Sequence, residues 1–435
     1  MDIYNLVSFA GIFGLLAIAW LISRVIFKNT QKINWHLLGW ALGLQFIFAL
    51  FIFVLPAGVT LFQAINDLAV MVLGTASAGG QFVFGPLAFP PGVQGSIGFI
   101  LAFQAFPTII FFSALVSVLY YYNILPFIIQ LFAKLFTRLM RISGAESLCA
   151  ASNIFVGIES AFTIKPYINK MTRSELCTIL TAGMATVASN VLAFYVFTLQ
   201  AQFPSIAGHL ISASFLSAPA ALVMSKLIFP ESGTPQTLGK VVDIYYERES
   251  CLFEAIINGA ASGLKVIFSI VALLIAVMGL VALVDLILGS AGNMVSQWIE
   301  IPMEWSLKSF LGYLFYPFTL MIGIPPVDAG IISRIIGERI ILTEVISYQD
   351  LALALAQKSL IHPRSAVVAA YALCGFAHLA SMAIFVGGIT ALAPKRTSAI
   401  AGVAIKALIA ATFACLLTAC VAGTFYTNTS LLLGN

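Results

Sequence analysis

The residues best placed to do chemistry in this sequence lie in the segment 144–168, where Glu159 stands between long uncharged runs. No Asp, Glu, Lys or Arg occurs from position 68 to 133 or from 176 to 225. Such runs belong in lipid, where a carboxylate is costly and usually marks a functional site. Because Gly157 precedes Glu159, we predict a non-helical turn at membrane depth that a polar solute or an ion reaches.

A turn in this segment frees backbone carbonyls, and freed carbonyls need partners inside a membrane. Hard cations prefer oxygen ligands. Asn153 and the Val156 carbonyl, joined by Ser189 and Asn190 from the next apolar run, therefore suit a sodium ion. The alternative is that Asn153 only caps a half-helix, and the residues alone leave both interpretations open.

A second polar cluster combines Glu344 with His378 and Ser381, which are three residues apart and share a face if their segment is helical. Carboxylate, imidazole and hydroxyl groups together suit a ligand rich in hydroxyls. The alternative is a histidine that only hydrogen-bonds between helices, although beside a carboxylate the imidazole could also hold a proton. Phe376 is placed either to stack on a planar ligand or to pack in the interior.

The composition indicates which elements position these residues. Of 435 residues, 61% are hydrophobic and only 9% are charged, and the mean hydropathy is +1.04. Because a membrane-spanning helix needs roughly 20 apolar residues, we predict an all-α polytopic membrane protein with about eight spans. The apolar runs lie near 5–23, 37–56, 97–121, 176–200, 205–229, 266–284, 365–393 and 397–425. They are continuously apolar, whereas a transmembrane β-barrel has alternating strands.

The charged residues indicate topology. Basic residues collect at the ends of spans instead of forming a stripe, so no binding to nucleic acid is predicted. Arg24, Lys28 and Lys32 follow the first span, and Lys395 and Arg396 join the last two. Because basic residues favour the cytoplasmic side, we expect a multi-pass protein of the plasma (inner) membrane with both termini outside. Three other charges are expected to pair on a half-buried helix: Arg334, Glu338 and Arg339.

The two halves of the chain, separated by the polar stretch 230–254, contain a weak internal echo. Residues 183–189 read GMATVAS and residues 375–381 read GFAHLAS, and a Gly-Ile turn precedes each, at 156–159 and at 322–328. Each half thus offers an interrupted segment and a small-residue helix. Paired interrupted segments point to a transporter binding site between repeats. The alternative is that small residues recur wherever helices of a membrane bundle touch.

These motifs resemble the concentrative nucleoside transporter family over nearly the whole chain. The matching strings are QFVFGPL at 81–87, FPTIIFFSALVSVLYY at 106–121, GAESLCAASNIFVG at 144–157, KPYI at 165–168, IGERIILTEVISY at 336–348, ALCGFAHLAS at 372–381 and LAPKR at 392–396. The resemblance implies eight spans and two re-entrant helical hairpins in inverted repeats, at 144–170 and 310–345. It also implies a homotrimer in which a mobile transport subdomain slides against a fixed scaffold.

The resemblance further implies roles for individual residues. Sodium would be held by Asn153, Val156, Ser189, Asn190 and Val191. The solute would contact Gly157, Ile158, Glu159 and Ser160 of the first hairpin, with Glu344, His378 and Ser381 as ribose partners and Phe376 near the base.

Three positions depart from the pattern usual in the family. The first hairpin reads Gly-Ile-Glu-Ser at 157–160 where the family has Gly-Gln-Thr/Ser-Glu, and His378 and Thr343 each replace an Asn. Each lost buried hydrogen bond changes discrimination by about 1–3 kcal/mol. We therefore expect altered base recognition, enough to switch the preferred base or to abolish nucleoside binding.

We predict a sodium-coupled symporter for nucleosides or nucleoside-like solutes with an elevator-type mechanism, and no enzyme activity. The alternatives are a proton-coupled symporter of another small polar solute and an intramembrane hydrolase with Ser381 or Ser160 as nucleophile and His378 as base. A passive channel is disfavoured by the paired interrupted segments. No cofactor is predicted besides sodium as coupling ion, and the expected partners are solute, ion, membrane lipid and copies of the chain.

The predicted subdomains follow the chain in four parts. Mainly scaffold helices and an interfacial helix are expected in 1–143, and the first hairpin with the following transport helices in 144–229. A loop, an interfacial helix and a scaffold helix are expected in 230–304. The second hairpin and the last two transport helices complete the chain in 305–435.

Overall fold

The computed structural model describes residues 2–90, 93–157, 159–246, 248–299 and 304–427, with the backbone alone at 189, 190, 291 and 293–299. Within these ranges the chain is helical and has no β-strand, apart from an isolated bridge between Ser143 and Leu238. This confirms the predicted all-α class. The helices are α1 (Ile3–Leu21), α2 (Trp35–Phe53), α3 (Pro56–Phe84), α4 (Leu101–Gln104), α5 (Phe106–Tyr121), α6 (Ile124–Met140), α7 (Gly144–Ser152), α8 (Ser160–Thr163), α9 (Lys165–Ile168), α10 (Arg173–Ala185), α11 (Ser189–Leu199), α12 (Ile206–Ile228), α13 (Leu252–Ile299), α14 (Leu307–Met321), α15 (Pro326–Glu338), α16 (Glu344–Ala356), α17 (Pro363–Leu373), α18 (Leu379–Leu392), α19 (Thr397–Ala401) and α20 (Ala404–Phe425).

Seven helical stretches of the described chain are long and apolar enough to cross a membrane: Ile3–Ile26, Trp35–Phe53, Pro56–Ala88, Leu101–Tyr121, Ile206–Ile228, Leu252–Ser290 and Ala404–Phe425. Two expected spans, 176–200 and 365–393, are interrupted helices, α10–α11 and α17–α18. The sequence analysis missed α3, because Asn66 and Asp67 divide its apolar residues into shorter runs. In their most apolar parts, 89% of the residues of α12 and 83% of those of α20 are buried, but none of those of α13. The core therefore forms around α12 and α20.

Two helical hairpins are present, as the resemblance implies. The first consists of α7 and α8–α9, with its tip at residues 153–159. The second consists of α15 and α16 and spans 326–356, with its tip at 339–343, so the expected bounds 310–345 are wrong. The reason is local: Gly323, at φ +85°, ends α14, and Pro326 begins α15 at its first position. The Gly-Ile-Pro-Pro signal therefore marks the start of the hairpin and not its tip.

The echoed strings lie at two helix breaks, not inside small-residue helices as expected. GMATVAS spans the break at 186–188 between α10 and α11, and GFAHLAS spans the break at 374–378 between α17 and α18. Each break exposes the last carbonyls of one half-helix and the first N–H groups of the next. In the first break, Thr186 Oγ1 donates to the Ala182 carbonyl at 2.9 Å.

The two broken helices cross close to their breaks. A Cβ on Gly375 would lie 2.7 Å from the Met184 carbonyl oxygen and 2.6 Å from Cys415 Sγ. A Cβ on Gly183 would lie 2.3 Å from the Phe385 ring. Small residues let membrane helices approach this closely, and the close approach holds the two breaks side by side.

Gly375→Ala is expected to destabilise the protein, because the added methyl group has to displace a carbonyl and a thiol in a packed crossing. Overpacking of this kind costs about 1–3 kcal/mol. The melting temperature of the purified protein in detergent measures the effect. Gly39→Ala is the control, since a Cβ there meets nothing within 4 Å, and equal melting temperatures for the two variants would contradict the close crossing.

Residues 230–250 connect α12 to α13 along the first hairpin. The Gly144 N–H donates to the Thr237 carbonyl at 2.9 Å, and the Tyr245 N–H donates to the Thr163 carbonyl at 3.0 Å. From Leu252 onward α13 is one unbroken helix through Ile299. Among the described residues of 230–304, no helix separate from α13 precedes it, and α13 packs against α5.

Candidate functional site

Both hairpin tips and both helix breaks meet at one cavity of about 260 Å³. Residues that are distant in sequence line it: Gly157 and Glu159 of the first tip, Ala188 and Val191 of the first break, Thr343, Glu344 and Val345 of the second tip, Phe376, His378, Ser381, Ile384 and Phe385 of the second break, and Lys265, Val266, Ser269, Ile270, Leu273 and Leu274 of α13. A concave, mostly apolar cavity with a few convergent polar groups is typical of a small-molecule site.

Glu344 is the centre of the polar groups. Its side chain is almost fully buried, and the residue begins α16, where the helix dipole favours a negative charge. Oε1 accepts a hydrogen bond from Tyr195 Oη at 2.5 Å, and Oε2 faces His378 Nε2 at 2.7 Å. A carboxylate has about four acceptor positions, so these two donors leave acceptor capacity for hydroxyl groups of a ligand.

Tyr195 is a site residue that the sequence analysis missed. It lies on α11, and its ring centroid is 4.6 Å from that of Tyr348 on α16. A buried tyrosine hydroxyl usually has a hydrogen-bond partner. A polar tyrosine hydroxyl within the uncharged run 176–225 could have indicated a site residue. Its position in the sequence did not identify Glu344 as the partner.

His378 and Ser381 lie side by side as the N-terminal cap of α18, with His378 just before the helix and not within it as expected. His378 Nδ1 accepts from the Ser381 N–H at 3.1 Å. That hydrogen bond assigns the ring proton to Nε2, which faces Glu344. The imidazole is therefore held in one orientation between the cap of α18 and Glu344. The difference arises because the helix is broken at 374–378.

The Ser381 hydroxyl donates to the backbone carbonyls of Phe376 and His378 and not to the imidazole. Ser160 Oγ, the other nucleophile considered, donates to Asn153 Oδ1 at 3.0 Å. A serine nucleophile requires a hydrogen bond to its base. Neither serine has that geometry here, which argues against the hydrolase alternative.

The tip of the second hairpin fills the break between α17 and α18. Arg339 Nη1 donates to the Ala372 carbonyl, and the Ile340 carbonyl accepts from the Leu379 N–H at 3.0 Å. These contacts satisfy backbone groups that the break exposes. Thr343 has φ 136°, which is rare for a β-branched residue, and this strained residue directly precedes Glu344.

In the first hairpin, Asn153 ends α7 as its C-cap and is fully buried. Its Nδ2 donates to the Cys149 carbonyl at 2.9 Å, and its Oδ1 accepts from Ser160 Oγ at 3.0 Å. Val156 is also buried, and Val191 lines the cavity. Capping and ion binding are compatible for this residue, because the amide oxygen keeps a second lone pair. Three predicted site groups lie outside the described part of the chain: residue Ile158 and the side chains of Ser189 and Asn190.

Glu159 lies between two cavities. With Gly157 it lines both the cavity described above and a second one of about 320 Å³. The second cavity lies between the first hairpin, α5, the segment before α13 and α13 itself. Its polar lining consists of Ser113, Ser117, Tyr120, Tyr121, Thr163, Tyr245, Tyr246, Arg248, Glu249 and Ser262. Glu159 Oε2 lies 3.5 Å from the position of a Cβ on residue 157, so the glycine leaves room for the carboxylate at the boundary between the cavities.

The charges at 334–339 do not pair with one another, contrary to expectation. Glu338 pairs with Lys308 of α14 at 2.6 Å, and Arg334 pairs with Glu304 at 3.0 Å. Arg339 is fully buried at the hairpin tip. The reason is that α14 supplies a cation for Glu338, while Arg339 lies past the end of α15.

Most of the chain matches models of known protein families. Residues 10–87 match the family described as "Na+ dependent nucleoside transporter N-terminus" and residues 209–423 match its C-terminus. Residues 102–202 match a domain described as "Nucleoside recognition".

Similar proteins include the nucleoside permease NupC of Helicobacter pylori, 35% identical over 97% of this chain and 98% of that protein. An uncharacterized transporter of Haemophilus influenzae is 37% identical over 96% of this chain and 97% of that protein. Solute carrier family 28 member 3 of Mus musculus is 35% identical over 96% of this chain, but the match covers only 58% of that longer protein.

Solved structures of CNTnw have the same fold. An inward-facing, substrate-bound state gives a TM-score of 0.85 at 32% identity, covering 97% of this chain and 98% of that one. An outward-facing state of a double variant gives 0.86 at 31% identity and covers 98% of both chains. With these matches along its whole length, the chain belongs to the Na+ dependent nucleoside transporter family.

Proposed function

We propose that this protein is a sodium-coupled symporter that takes up nucleosides or nucleoside-like solutes. The observation that carries the proposal is the Glu344 network at the cavity where both hairpin tips meet. It offers charged acceptor positions to the hydroxyl groups of a sugar, and Phe376 on the same wall offers a ring face to a base. The names of relatives, nucleoside permease and sodium/nucleoside cotransporter 1, describe the same cargo for those proteins.

Transport is proposed to occur by movement of a core past a scaffold. The core contains both hairpins, the broken helices, α12 and α20, and the scaffold contains α5 and α13, which pack on each other. Because α1 and α2 pack on α12 and α20, we assign α1 and α2 to the core. Fewer helices of 1–143 than expected then belong to the scaffold. CNTnw adopts outward-facing and inward-facing states, and the cavity beyond Glu159 offers a route to one membrane face.

Sodium is favoured over protons as the coupling ion by the hydrogen bonds of His378. Its Nδ1 already accepts from the Ser381 N–H, so protonation there would break the cap of α18. Asn153 and the carbonyl of Val156 instead supply the neutral oxygen ligands that sodium prefers. The proposed ion site contains these two groups together with Ser189, Asn190 and Val191.

Asn153→Ala is expected to raise the sodium concentration for half-maximal uptake by about 5- to 30-fold, because one lost ligand is worth about 1–2 kcal/mol. Uptake of labelled uridine into proteoliposomes at graded sodium concentrations measures this. Ser147→Ala is the matched control, since Ser147 is buried on the same half-helix and donates to its own helix at the Ser143 carbonyl. An unaltered sodium response in Asn153→Ala would remove this residue from the ion site.

We infer an orientation in the plasma membrane with both chain ends outside. Asn5 Nδ2 donates to the Tyr426 carbonyl at 2.8 Å, which joins the start of α1 to the end of α20. At the opposite end of the bundle, Lys406 lies over the rings of Phe27 and Phe229, and basic residues collect there. The proposed homotrimer and lipid contacts would use exposed apolar surface such as that of α13.

The function is tested by uptake of labelled nucleosides, nucleobases and nucleotides into proteoliposomes, with sodium or proton gradients imposed separately. We expect uphill accumulation of at least one nucleoside under a sodium gradient. Accumulation driven by protons alone would favour the proton-coupled alternative, and equilibration without accumulation would indicate a passive channel.

A further inference from the structure

Arg339 is a buried cation that the site described so far does not use. Its side chain is fully buried, and no carboxylate in the described ranges forms an ion pair with it. Nε and Nη2 also have no oxygen acceptor among the described residues. A buried guanidinium without a carboxylate partner is costly at membrane depth. The Cys415 thiol is a side chain that contacts it, and a thiol does not replace a carboxylate as a counter-ion.

The position of Arg339 corresponds to that of Asn153 in the other half of the molecule. Each hairpin begins with a helix whose third residue is acidic, Glu146 in α7 and Asp328 in α15. Asn153 is the C-cap of α7, and Arg339 is the C-cap of α15. Each tip then meets the break of the broken helix that follows. The two side chains therefore take equivalent places in the repeats.

The surroundings of Arg339 are those of a cation site made of neutral groups. Nη1 donates to the Ala372 carbonyl, which lies in the last turn of α17 before the break. The negative end of the α17 dipole also points to this place. Tyr348 Oη donates a hydrogen bond to a neighbouring carbonyl, that of Ala370, at 3.0 Å. Helix ends and freed carbonyls that would suit a metal ion are thus occupied by a side chain.

We propose that the Arg339 guanidinium is a built-in cation that replaces, in the second repeat, the sodium ion bound in the first. This inference rests on the proposed function and assigns its stoichiometry. The first hairpin tip carries a neutral asparagine and needs an external cation to close, whereas the second hairpin tip carries its own cation. One sodium ion per solute follows, with a Hill coefficient for sodium of about 1.

Arg339→Met removes the charge and keeps an unbranched apolar side chain, and is expected to create a second sodium requirement. Uridine uptake into proteoliposomes should then depend on sodium with a Hill coefficient approaching 2, and the ratio of labelled sodium to labelled uridine transported should rise from about 1 to about 2. Arg339→Lys keeps the charge and should retain the lower values. Arg334→Met is the matched control, because Arg334 lies on the same helix in an exposed ion pair.

A second measurement does not depend on transport and applies if uptake by Arg339→Met is too slow to quantify. The melting temperature of the purified variant in detergent is followed as sodium chloride replaces choline chloride. A steeper rise with sodium than in the unaltered protein supports the inference, since each additional bound ion adds stabilisation. A slope equal to that of the unaltered protein, instability at every sodium concentration, or a flux ratio of two in the unaltered protein overturns it.

The two proposals fail in different ways. The absence of any sodium response in the unaltered protein would refute the proposed sodium coupling, and this inference with it. Suppose that Asn153→Ala abolishes the sodium response, but that the Hill coefficient for sodium is the same in Arg339→Met as in the unaltered protein. That result would refute only the role of Arg339.

Discussion

Glu344→Gln is expected to reduce kcat/KM for uridine uptake by about 100-fold, which corresponds to about 2.7 kcal/mol. The carboxylate accepts a hydrogen bond from Tyr195, lies 2.7 Å from His378 Nε2 and has capacity left for a hydroxyl of the solute. Hydrogen bonds to a charged acceptor contribute about 1.5–3 kcal/mol each. An amide is a weaker acceptor and turns an NH₂ group toward one of the existing donors, so both the network and the solute contact are weakened.

Tyr195→Phe provides the graded comparison. It removes one donor and leaves the charge of Glu344, so the expected loss is about tenfold, or about 1.4 kcal/mol. Initial rates in proteoliposomes at saturating sodium, normalised to the amount of inserted protein, measure both variants. If Glu344→Gln transports as well as the unaltered protein, the solute does not depend on this carboxylate and the site assignment fails.

Arg364→Met is expected to lower the free energy of unfolding by at least about 3 kcal/mol, since each orphaned buried group costs about 1–3 kcal/mol. The Arg364 guanidinium donates to the Gly323 and Gly423 carbonyls at 2.8 and 2.9 Å and to Asn5 Oδ1 at 2.6 Å. It also donates to the Tyr4 carbonyl and to Ser8 Oγ. These bonds join α1, the start of the second hairpin, α17 and α20, so their loss separates four elements of the core.

The melting temperature in detergent should fall by roughly 6–12 °C in Arg364→Met, at the 2–4 °C per kcal/mol typical of larger domains. Arg396→Met is the control, because Arg396 is half-buried and, among the described residues, donates one hydrogen bond, to the Met171 carbonyl at 2.6 Å. Equal melting temperatures for the two variants would show that the Arg364 contacts do not hold the core together.

Much of the fold could be predicted from the sequence because lipid imposes a simple rule on composition. Continuous apolar runs predicted six spans that the described helices match, whereas the runs 176–200 and 365–393 are broken helices and α3 was missed. A carboxylate between such runs and a second cluster of polar residues predicted a polar site, and Glu159, Glu344 and His378 lie on one cavity. These inferences need only the cost of burying a polar group in the membrane.

The position of the helix breaks could not be predicted in the same way. The second hairpin tip is an Arg-to-Thr segment at 339–343 without Gly or Pro, and contacts made from distant parts of the chain stabilise it. The cap formed by His378 and Ser381 depends on a break that local propensity does not indicate. Tyr195 was missed for the same reason, because its partner Glu344 is 149 residues away.

Equilibrium binding of uridine to the purified protein, measured by calorimetry in sodium chloride and in matched choline chloride, tests the central claim most directly. If both hairpin tips close around solute and ion together, sodium raises the affinity for uridine, and uridine raises the affinity for sodium by the same factor. We expect this factor to be at least about tenfold, or about 1.4 kcal/mol of coupling. A uridine affinity that is the same in both salts would contradict the account.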